Sequence, residues 1–562
     1  MKPAWECVGA ALVAEGFSAT GGGKEDSFVG TLTSGRVAVD IELTVEDYNF
    51  LSMPRVRILN KDALPKSISA HLSEDDSLCY ADRETFLLDR YQPDRSVLAV
   101  LERARETLGV LLHGNPTREI MAEFFAYWGG TPYAFIDPPL SLAEATLGVV
   151  NFKAGHVTRV AARSEDRLKS WAAAANATAE IQQSIAVIQC PEAVRPPSAS
   201  IDTFEDALAW ARSQPRISID VAELATSNAD PRPGLFLAGT NGIFGFLAVS
   251  DATLKAASRK GFRASSLPAL WRSQASKLKI ERLRGVAADH AEIVGRNLAG
   301  ITPLSGKRIA LIGCGTLGGH LARGLVQCGA GMDATFLLVD PDVFSPGNIG
   351  RHLLGVRHIG RNKAEALAEA LRNDFPDVSI EAVPRSGATL MNRFAGYDLV
   401  IDATGMEQFS EALNAWALNG RTSRTAGLPI MYASLHGNGV AAQTFLDTGR
   451  PGDACFRCLR PAFDRPRRYP AVRPEYENPE VAVRPCGDGT FVPFAVDATM
   501  LTASLALRHG IDVLTGDGRP TLRTRVIELQ KARHQNDCTP VRSDNCPACS
   551  HLISEPALSS PS

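Results

Sequence analysis

Residues 308–340 constrain the fold more than any other part of the sequence. An apolar run, RIALIG, ends at Gly313, and a helical pattern follows from residue 317 to residue 327. A second apolar run, FLLVD, closes at Asp340. A strand, a glycine-rich turn, a helix and a second strand in this order open a parallel, doubly wound sheet. Because the alternation continues along the chain, we predict a Rossmann-like α/β domain over residues 286–562.

The turn after the first strand has the spacing of a nucleotide-binding loop. Gly313, Gly315 and Gly318 form the pattern G-x-G-x-x-G at the start of a helix. Glycine lets the backbone approach a phosphate closely, and the N-terminus of a helix favours negative charge. By itself this pattern most often indicates NAD or FAD. Asp340 ends the second strand, where a ribose-binding carboxylate is expected.

The residues beyond Asp340 favour a triphosphate. Asn348, Arg351 and Lys363 follow in close succession, and Asp402 ends the buried strand of YDLVIDATG. Arginine and lysine beside a glycine loop can neutralise the phosphates of ATP. A carboxylate at the carboxyl edge of the sheet suits Mg²⁺, which prefers oxygen ligands. The ordered set therefore predicts ATP and Mg²⁺ rather than a nicotinamide cofactor.

The cysteines suggest two further kinds of chemistry. Two C-x-x-C pairs, Cys455 with Cys458 and Cys546 with Cys549, could supply the four thiolates of a tetrahedral Zn²⁺ site. Cys486 is unpaired and lies in RPCGDGTF, just ahead of a helical stretch. A cysteine in this position can have a lowered pKa and act as a nucleophile.

The N-terminal half has a different pattern. Residues 27–59 alternate between apolar and polar positions, which predicts an antiparallel meander, and residues 96–112 have apolar residues at helical spacing. We predict an α+β domain over residues 1–145. Residues 146–285 are predicted as an intermediate or linker domain, with a proline-rich connection at 185–200.

Length, charge and hydropathy bound the remaining possibilities. A chain of 562 residues can hold about three to five domains. The net charge of -3 argues against a broad nucleic-acid-binding surface. No apolar run approaches the ~18–20 residues of a membrane span. The first residues, MKPAWECVGAALVAEGF, lack a clean signal-peptide cleavage site. We therefore expect a cytoplasmic protein without a nucleic-acid or membrane partner.

Four stretches, RIALIGCGTLGGHLARGL, LVDPDVFSPGNIGRHLL, GRNKAEALAEAL and YDLVIDATG, resemble the ThiF-type superfamily of ubiquitin-activating enzymes and sulfur-carrier-protein adenylyltransferases. The resemblance implies adenylation of the C-terminal carboxylate of a small protein, and a homodimer. It gives Asp340 the ribose role, Arg351 and Lys363 the phosphate roles, Asp402 the magnesium role, and Asn348 a polar role in the nucleotide site. The same superfamily often carries zinc on two similarly placed C-x-x-C pairs, and many members carry a thioester cysteine in the region of Cys486.

The N-terminal half resembles the ubiquitin-conjugating fold. The resemblance rests on PRVRIL, on His71 ahead of the Leu78-Cys79 pair, on the Tyr-x-Pro segment and on the long helix. It implies that Cys79 accepts a thioester and that His71 corresponds to the histidine of a His-Pro-Asn motif. Leu72 replaces the proline and a serine replaces the asparagine, which leaves the stabilisation of the oxyanion open.

Together, the two regions closely resemble the ubiquitin-transferase fusion of bacterial CBASS anti-phage systems. That resemblance implies a relay of adenylation, thioester formation on Cys486, transfer to Cys79 and ligation to an amine. It also implies a cGAS/DncV-like nucleotidyltransferase as the protein whose C-terminal tail is activated. Three alternatives remain open: a sulfur-carrier adenylyltransferase of the thiamin or molybdopterin type, a non-catalytic nucleotide-binding scaffold, and an NAD-linked oxidoreductase.

Overall fold

The computed structural model describes most of the chain. The described residues are 3–20, 26–60, 64, 71–72, 75–81, 85–113, 124–125, 128–197, 200–217, 220–227, 232–249, 267–419, 427–450, 452–483, 490–516 and 518–552. They form two compact units, one of residues 1–169 with 178–288 and one of residues 170–177 with 289–562. Within these ranges, no helix has both the length and the apolar composition needed to cross a membrane.

The first unit begins with the predicted antiparallel meander. Its sheet runs in the order β1 Ser18–Ala19, β2 Asp26–Ser34, β3 Val37–Val45 and β4 Arg55–Ile58. Two helices, α1 Ala4–Ala14 and α2 Pro93–His113, pack with this sheet. Helix α2 buries Val97, Val100, Leu101, Ala104 and Leu108, whose spacing puts them on one face of a helix. The α+β prediction for the N-terminal region is confirmed.

A closed seven-stranded barrel follows in the same unit. Its strands, in the hydrogen-bonded order β10-β11-β5-β7-β6-β8-β9, are β5 Thr131–Phe135, β6 Glu144–Phe152, β7 Val157–Ala162, β8 Ala177–Gln189, β9 Gly234–Gly239, β10 Gly242–Ala248 and β11 Ile280–Ala287. Helix α3 Glu165–Ala174 begins in this unit, and the other helices of this region are α4 Phe204–Arg212, α5 Val221–Ser227 and α6 Leu267–Ser273. The barrel thus begins at residue 131, inside the range 1–145 predicted for the N-terminal domain.

One expectation for this region is wrong. The proline-rich stretch 185–200 was expected to be a connection throughout, but its first five residues are the end of β8. Ile185 and Val187 pack into one apolar cluster, whereas Ala186 and Ile188 pack into another. A strand buried on both faces has no alternating pattern, so its sequence does not distinguish it from other apolar segments.

The second unit is built on a seven-stranded mixed sheet with the order β14-β13-β12-β15-β16-β17-β20. The pairs from β14 to β16 are parallel, whereas β17 and β20 are added antiparallel. Its strands are β12 Ile309–Ile312, β13 Phe336–Val339, β14 Ile380–Val383, β15 Leu399–Asp402, β16 Ile430–His436, β17 Ala441–Asp447 and β20 Leu522–Val526. A separate two-stranded ribbon pairs β18 Ala482–Val483 with β19 Thr490–Phe491.

Helices cover this sheet as a doubly wound fold requires. They are α7 His290–Asn297, α8 Thr316–Gln327, α9 Lys363–Asp374, α10 Met391–Phe394, α11 Glu407–Asn419 and α12 Val496–Thr515. Helices α8 and α9 pack into one apolar cluster with β12 and β13, and α11 belongs to another. The α/β prediction is confirmed for this part of the chain.

Candidate active site

The candidate active site lies where the strand order of the second unit reverses. Strand β12 pairs with β13 on one side and with β15 on the other, so the order of the strands continues in opposite directions from β12. Open α/β sheets bind ligands in the crevice formed at such a point. A cavity of about 910 Å³ lies here, and it brings together Gly315, Asn348, Arg351, Lys363 and Asp402. The five were predicted from separate parts of the sequence.

The glycine turn is shaped by its neighbours. Gly313 has a φ of +91°, and a Cβ there would lie 2.8 Å from the backbone nitrogen of Thr404. A Cβ on Gly318 would lie 1.8 Å from the carbonyl oxygen of Gly313. Gly315, which lines the cavity, has no atom within 4 Å of its Cβ position. Gly313 and Gly318 therefore allow close packing of the backbone, whereas Gly315 leaves room for a ligand.

Asp340 fixes the backbone of the turn. Its carboxylate accepts hydrogen bonds from the backbone N–H groups of Cys314, at 2.7 Å, and Asp342, at 2.8 Å. The side chain is buried, and burial raises the pKa of Asp340 above its usual range. It stands beside the loop rather than among the residues that line the cavity. Its role at the ribose stays a prediction.

Lys363 is held at the first position of α9. Asn362 caps this helix by accepting a hydrogen bond from the backbone N–H of Glu365. The Nζ atom of Lys363 lies 2.8 Å from the carboxylate of Asp342, and the lysine side chain is 12% exposed. Lys363 is among the residues that line the cavity, where its ammonium can meet an anion. The Asp342 carboxylate is 65% exposed, so solvent weakens this ion pair.

Asp402 lies at the end of β15, 2% exposed at the cavity wall. One carboxylate oxygen accepts hydrogen bonds from the N–H and the hydroxyl of Thr404, at 3.0 and 2.7 Å. The other accepts a hydrogen bond from Ser410, at 2.5 Å. Burial raises the pKa of Asp402, because desolvation disfavours the charged carboxylate more than the hydrogen bonds from Ser410 and Thr404 favour it. A carboxylate in this environment gains most from a cation, which fits the predicted Mg²⁺.

His352 has a role that sequence reasoning missed. The ring accepts a hydrogen bond from the backbone N–H of Leu354 at Nδ1, at 3.0 Å. Its proton is therefore on Nε2, which donates to the carbonyl of Cys314 in the glycine turn, at 2.8 Å. Burial lowers the pKa of His352 to about 4, so the ring is neutral at physiological pH. The neutral imidazole thus joins the glycine turn to the backbone at Leu354 by two hydrogen bonds. In the sequence, His352 stands out only as part of the stretch IGRHLL.

The cavity extends well beyond the nucleotide residues. It is also lined by Ser434 and Gln443, which pair across β16 and β17, and by His436 two residues further along. Irregular chain that includes Phe463 and Arg467 lines it as well. The contribution of this irregular chain was missed from the sequence because irregular chain gives no periodic signal.

The four predicted metal ligands form one buried cluster. The Sγ atom of Cys455 lies 3.8 Å from that of Cys458 and 3.7 Å from that of Cys546, and Cys458 lies 3.5 Å from Cys549. Sulfur atoms bound at ~2.3 Å to a tetrahedral Zn²⁺ lie about 3.8 Å apart. The donor set and its spacing therefore fit zinc.

In the first unit, the structure brings the two predicted conjugating residues together. Leu78 and Tyr80 are buried, whereas Cys79 between them is exposed. The backbone N–H of Cys79 donates a hydrogen bond to the carbonyl of His71, at 2.8 Å. His71 adopts a left-handed conformation with φ of 61°. Cys486, the other predicted thioester residue, lies outside the described residues.

Comparison with known proteins decides the family. Residues 291–549 match the ThiF family, and residues 5–132 match the prokaryotic E2 family B. The ATP-dependent ubiquitin transferase-like protein Cap2 of Pseudomonas aeruginosa is 30% identical over 520 residues, which are 90% of this chain and 90% of that protein. The chain belongs to the Cap2 family. Cap2 of Escherichia coli is 32% identical over 281 residues, covering 48% of this chain and 45% of that protein.

Part of the chain is also similar to a more distant activating enzyme. The SAMP-activating enzyme E1 of Haloferax volcanii is 28% identical over 170 residues, covering 30% of this chain and 58% of that protein. As a member of the Cap2 family, the chain is an ATP-dependent enzyme of ubiquitin-like transfer. The predicted combination of a conjugating-like region with a ThiF-type region is confirmed.

Proposed function

We propose that this Cap2-family chain uses ATP to activate the C-terminal carboxylate of a partner protein and then conjugates that protein to an amine. The observation that carries the proposal is the cavity at the switch point. It combines the cations Arg351 and Lys363 and the carboxylate Asp402 with a further lining from β16, β17 and the irregular chain around Phe463 in a single site. ATP would bind to Arg351, Lys363 and Asp402. The tail of the partner protein would occupy the rest of the cavity.

The residues suit an in-line attack on the α-phosphorus of ATP. The tail carboxylate bonds to that phosphorus while the bond to pyrophosphate breaks, giving an acyl-adenylate. Arg351 and Lys363 can bind the phosphates and stabilise the charge that develops on them. Mg²⁺ bound near Asp402 would neutralise further phosphate charge. Zn²⁺ on the four cysteines would join the C-terminal segment to the domain.

Two cysteines would carry the acyl group onward. The thiolate of Cys486 attacks the acyl carbon and AMP leaves with the electron pair, which forms a thioester. The thiolate of Cys79 then takes the acyl group and releases Cys486 as a thiolate. An amine of the target finally attacks the Cys79 thioester and forms an amide, and Cys79 leaves as a thiol that has taken up the proton lost by the amine. The exposure of Cys79 supports its role, because an incoming thioester and a target amine must both reach it.

The remaining parts of the proposal follow from the resemblance to the CBASS fusion. We propose that the activated protein is a cGAS/DncV-like nucleotidyltransferase and that conjugation primes anti-phage signalling. We further propose a cytoplasmic homodimer in which residues 1–145 conjugate, residues 146–285 connect and residues 286–562 adenylate. The roles of Gly313, Asp340 and Asn348 in binding the nucleotide belong to the same proposal.

The test compares cysteine variants of the full chain with a co-expressed nucleotidyltransferase. Cys79→Ala and Cys486→Ala should each abolish conjugates on a reducing gel, while ATP–pyrophosphate exchange continues. Cys190→Ala is the control, because Cys190 is 3% exposed in the barrel region. A Cys79→Ala protein that still conjugates would contradict the relay. ATP–pyrophosphate exchange by the unmodified chain without any conjugate or thioester on Cys79 would favour a sulfur-carrier adenylyltransferase. Exchange that is absent from the unmodified chain would instead favour a scaffold.

A further inference from the structure

The guanidinium of Arg351 is held by the chain just before α12. Its Nη1 atom donates a hydrogen bond to the carbonyl of Val492, at 3.2 Å. Its Cζ atom lies 4.3 Å from the ring centroid of Phe494 and 5.7 Å from that of Phe491. Cations within about 6 Å of an aromatic centroid are attracted by the ring face. Phe494 and Val492 both line the cavity, as Arg351 does.

Phe494 is itself placed by the turn between β16 and β17. Asn438 in this turn donates hydrogen bonds from Nδ2 to the carbonyls of Glu480, at 2.9 Å, and Pro493, at 3.0 Å. A Cβ on Gly439 would lie 3.1 Å from the Cβ of Phe494, so the turn and the phenylalanine are in close contact. The position of the ring therefore depends on the sheet and not only on its own loop.

An arginine side chain that is free to rotate loses considerable entropy when it binds a phosphate. A guanidinium that is already stacked and hydrogen-bonded loses less, so it binds the same phosphate more tightly. We propose that Phe494 is a positioning residue for ATP, which acts by holding the Arg351 guanidinium at the cavity wall. This inference rests on the proposed use of ATP at this cavity.

The matched control is a second arginine–phenylalanine pair in the same unit. The Cζ atom of Arg323 lies 5.4 Å from the ring centroid of Phe375. Neither residue lines the cavity. The substitution Phe375→Leu therefore removes a cation–π contact of the same kind without touching the proposed nucleotide site.

The experiment measures binding to the full chain by displacement of a fluorescent ATP analogue. ATP and adenosine are the two competitors, since adenosine has the base and ribose but no phosphate. Phe494→Leu should weaken ATP binding by about threefold to tenfold, the range expected for one partly buried cation–π contact. Adenosine binding should stay unchanged, and Phe494→Tyr, which keeps the ring face, should restore the affinity for ATP. Phe375→Leu should change neither competitor.

A double-mutant cycle separates positioning from a general structural effect. In an Arg351→Ala background, Phe494→Leu should have no further effect on ATP, because the guanidinium it positions is absent. An equal loss of adenosine binding, or a Phe494→Leu effect that persists without Arg351, would overturn the inference. An unmodified chain that binds no ATP would overturn the proposed function as well. If it binds ATP and Phe494→Leu binds equally well, only the positioning role fails.

Discussion

Replacing His352 by leucine should destabilise the second unit through two backbone groups at once. The imidazole donates to the carbonyl of Cys314 and accepts from the N–H of Leu354, and both partners are buried. A buried polar group left without a partner costs about 1–3 kcal/mol. Leucine fills a similar space and can still contact Phe344, whose ring centroid lies 5.0 Å from that of the histidine. We therefore expect the free energy of unfolding of this unit to fall by about 2–6 kcal/mol.

Hydrogen exchange of the full chain is the suitable measurement, because a multidomain chain need not unfold in one transition. Exchange in peptides that cover β12 and the glycine turn should accelerate by at least about tenfold, since each 1.4 kcal/mol is a factor of ten. Peptides from the barrel provide an internal reference. His534→Leu is the control variant, because His534 is exposed in the same unit. Unchanged exchange in β12 would refute the reasoning.

The pH dependence gives the same prediction an independent check. The pKa of His352 is lowered from 6.5 to about 4 by burial. Between these two pH values the unfolded chain binds a proton at His352 and the folded chain does not. The contribution of the neutral His352 to the free energy of unfolding is therefore complete above pH 6.5. It is lost as the pH falls toward 4, by about 3 kcal/mol in total. The His352→Leu variant lacks this titration, so its stability should approach that of the unmodified chain in acid.

Two further predictions concern the proposed Mg²⁺ and Zn²⁺ ligands. Asp402→Asn should lower ATP–pyrophosphate exchange by at least about a hundredfold through loss of charge at the phosphates. The thermal stability of this variant should stay nearly unchanged, because burial already disfavours the charged carboxylate. Full ATP–pyrophosphate exchange activity in the variant would contradict the magnesium role. Cys458→Ser should reduce bound zinc, measured by elemental analysis, and lower the unfolding temperature, as should a strong chelator applied to the unmodified chain. A metal-free chain that unfolds at the unchanged temperature would exclude a structural metal.

The parts of the fold that sequence predicted are those with strong local signals. Strand β12 is apolar throughout and is followed by Gly313, whose positive φ is characteristic of a tight turn. Helix α2 shows its buried face as a regular spacing of apolar residues. The four metal-site cysteines were paired by their C-x-x-C spacing alone. Each of these features is set within a short stretch of chain, where periodicity and spacing can be read directly.

The parts that sequence missed depend on contacts between distant segments. Strand β5 pairs in parallel with β11, which lies far along the chain, and no local pattern indicates this closure of the barrel. His352 meets the carbonyl of Cys314 only because β12 and β13 are neighbours in the sheet, so the segments that follow their carboxyl ends lie side by side. Arg351 was recognised as a phosphate-binding candidate, but its contact with Phe494 crosses more than a hundred residues of sequence. Such pairs become visible only in three dimensions.

The alternation around Cys79 has a consequence for how this region can evolve. The chain there continues next to β4, since the N–H of Leu78 donates to the carbonyl of Val56 and the buried Tyr80 hydroxyl donates to the carbonyl of Pro54. In extended chain, successive side chains point in opposite directions, so inserting or deleting one residue reverses every side chain beyond it. Such a change would turn the thiol inward and expose an aromatic ring. Substitutions near Cys79 should therefore be tolerated far more often than changes in length.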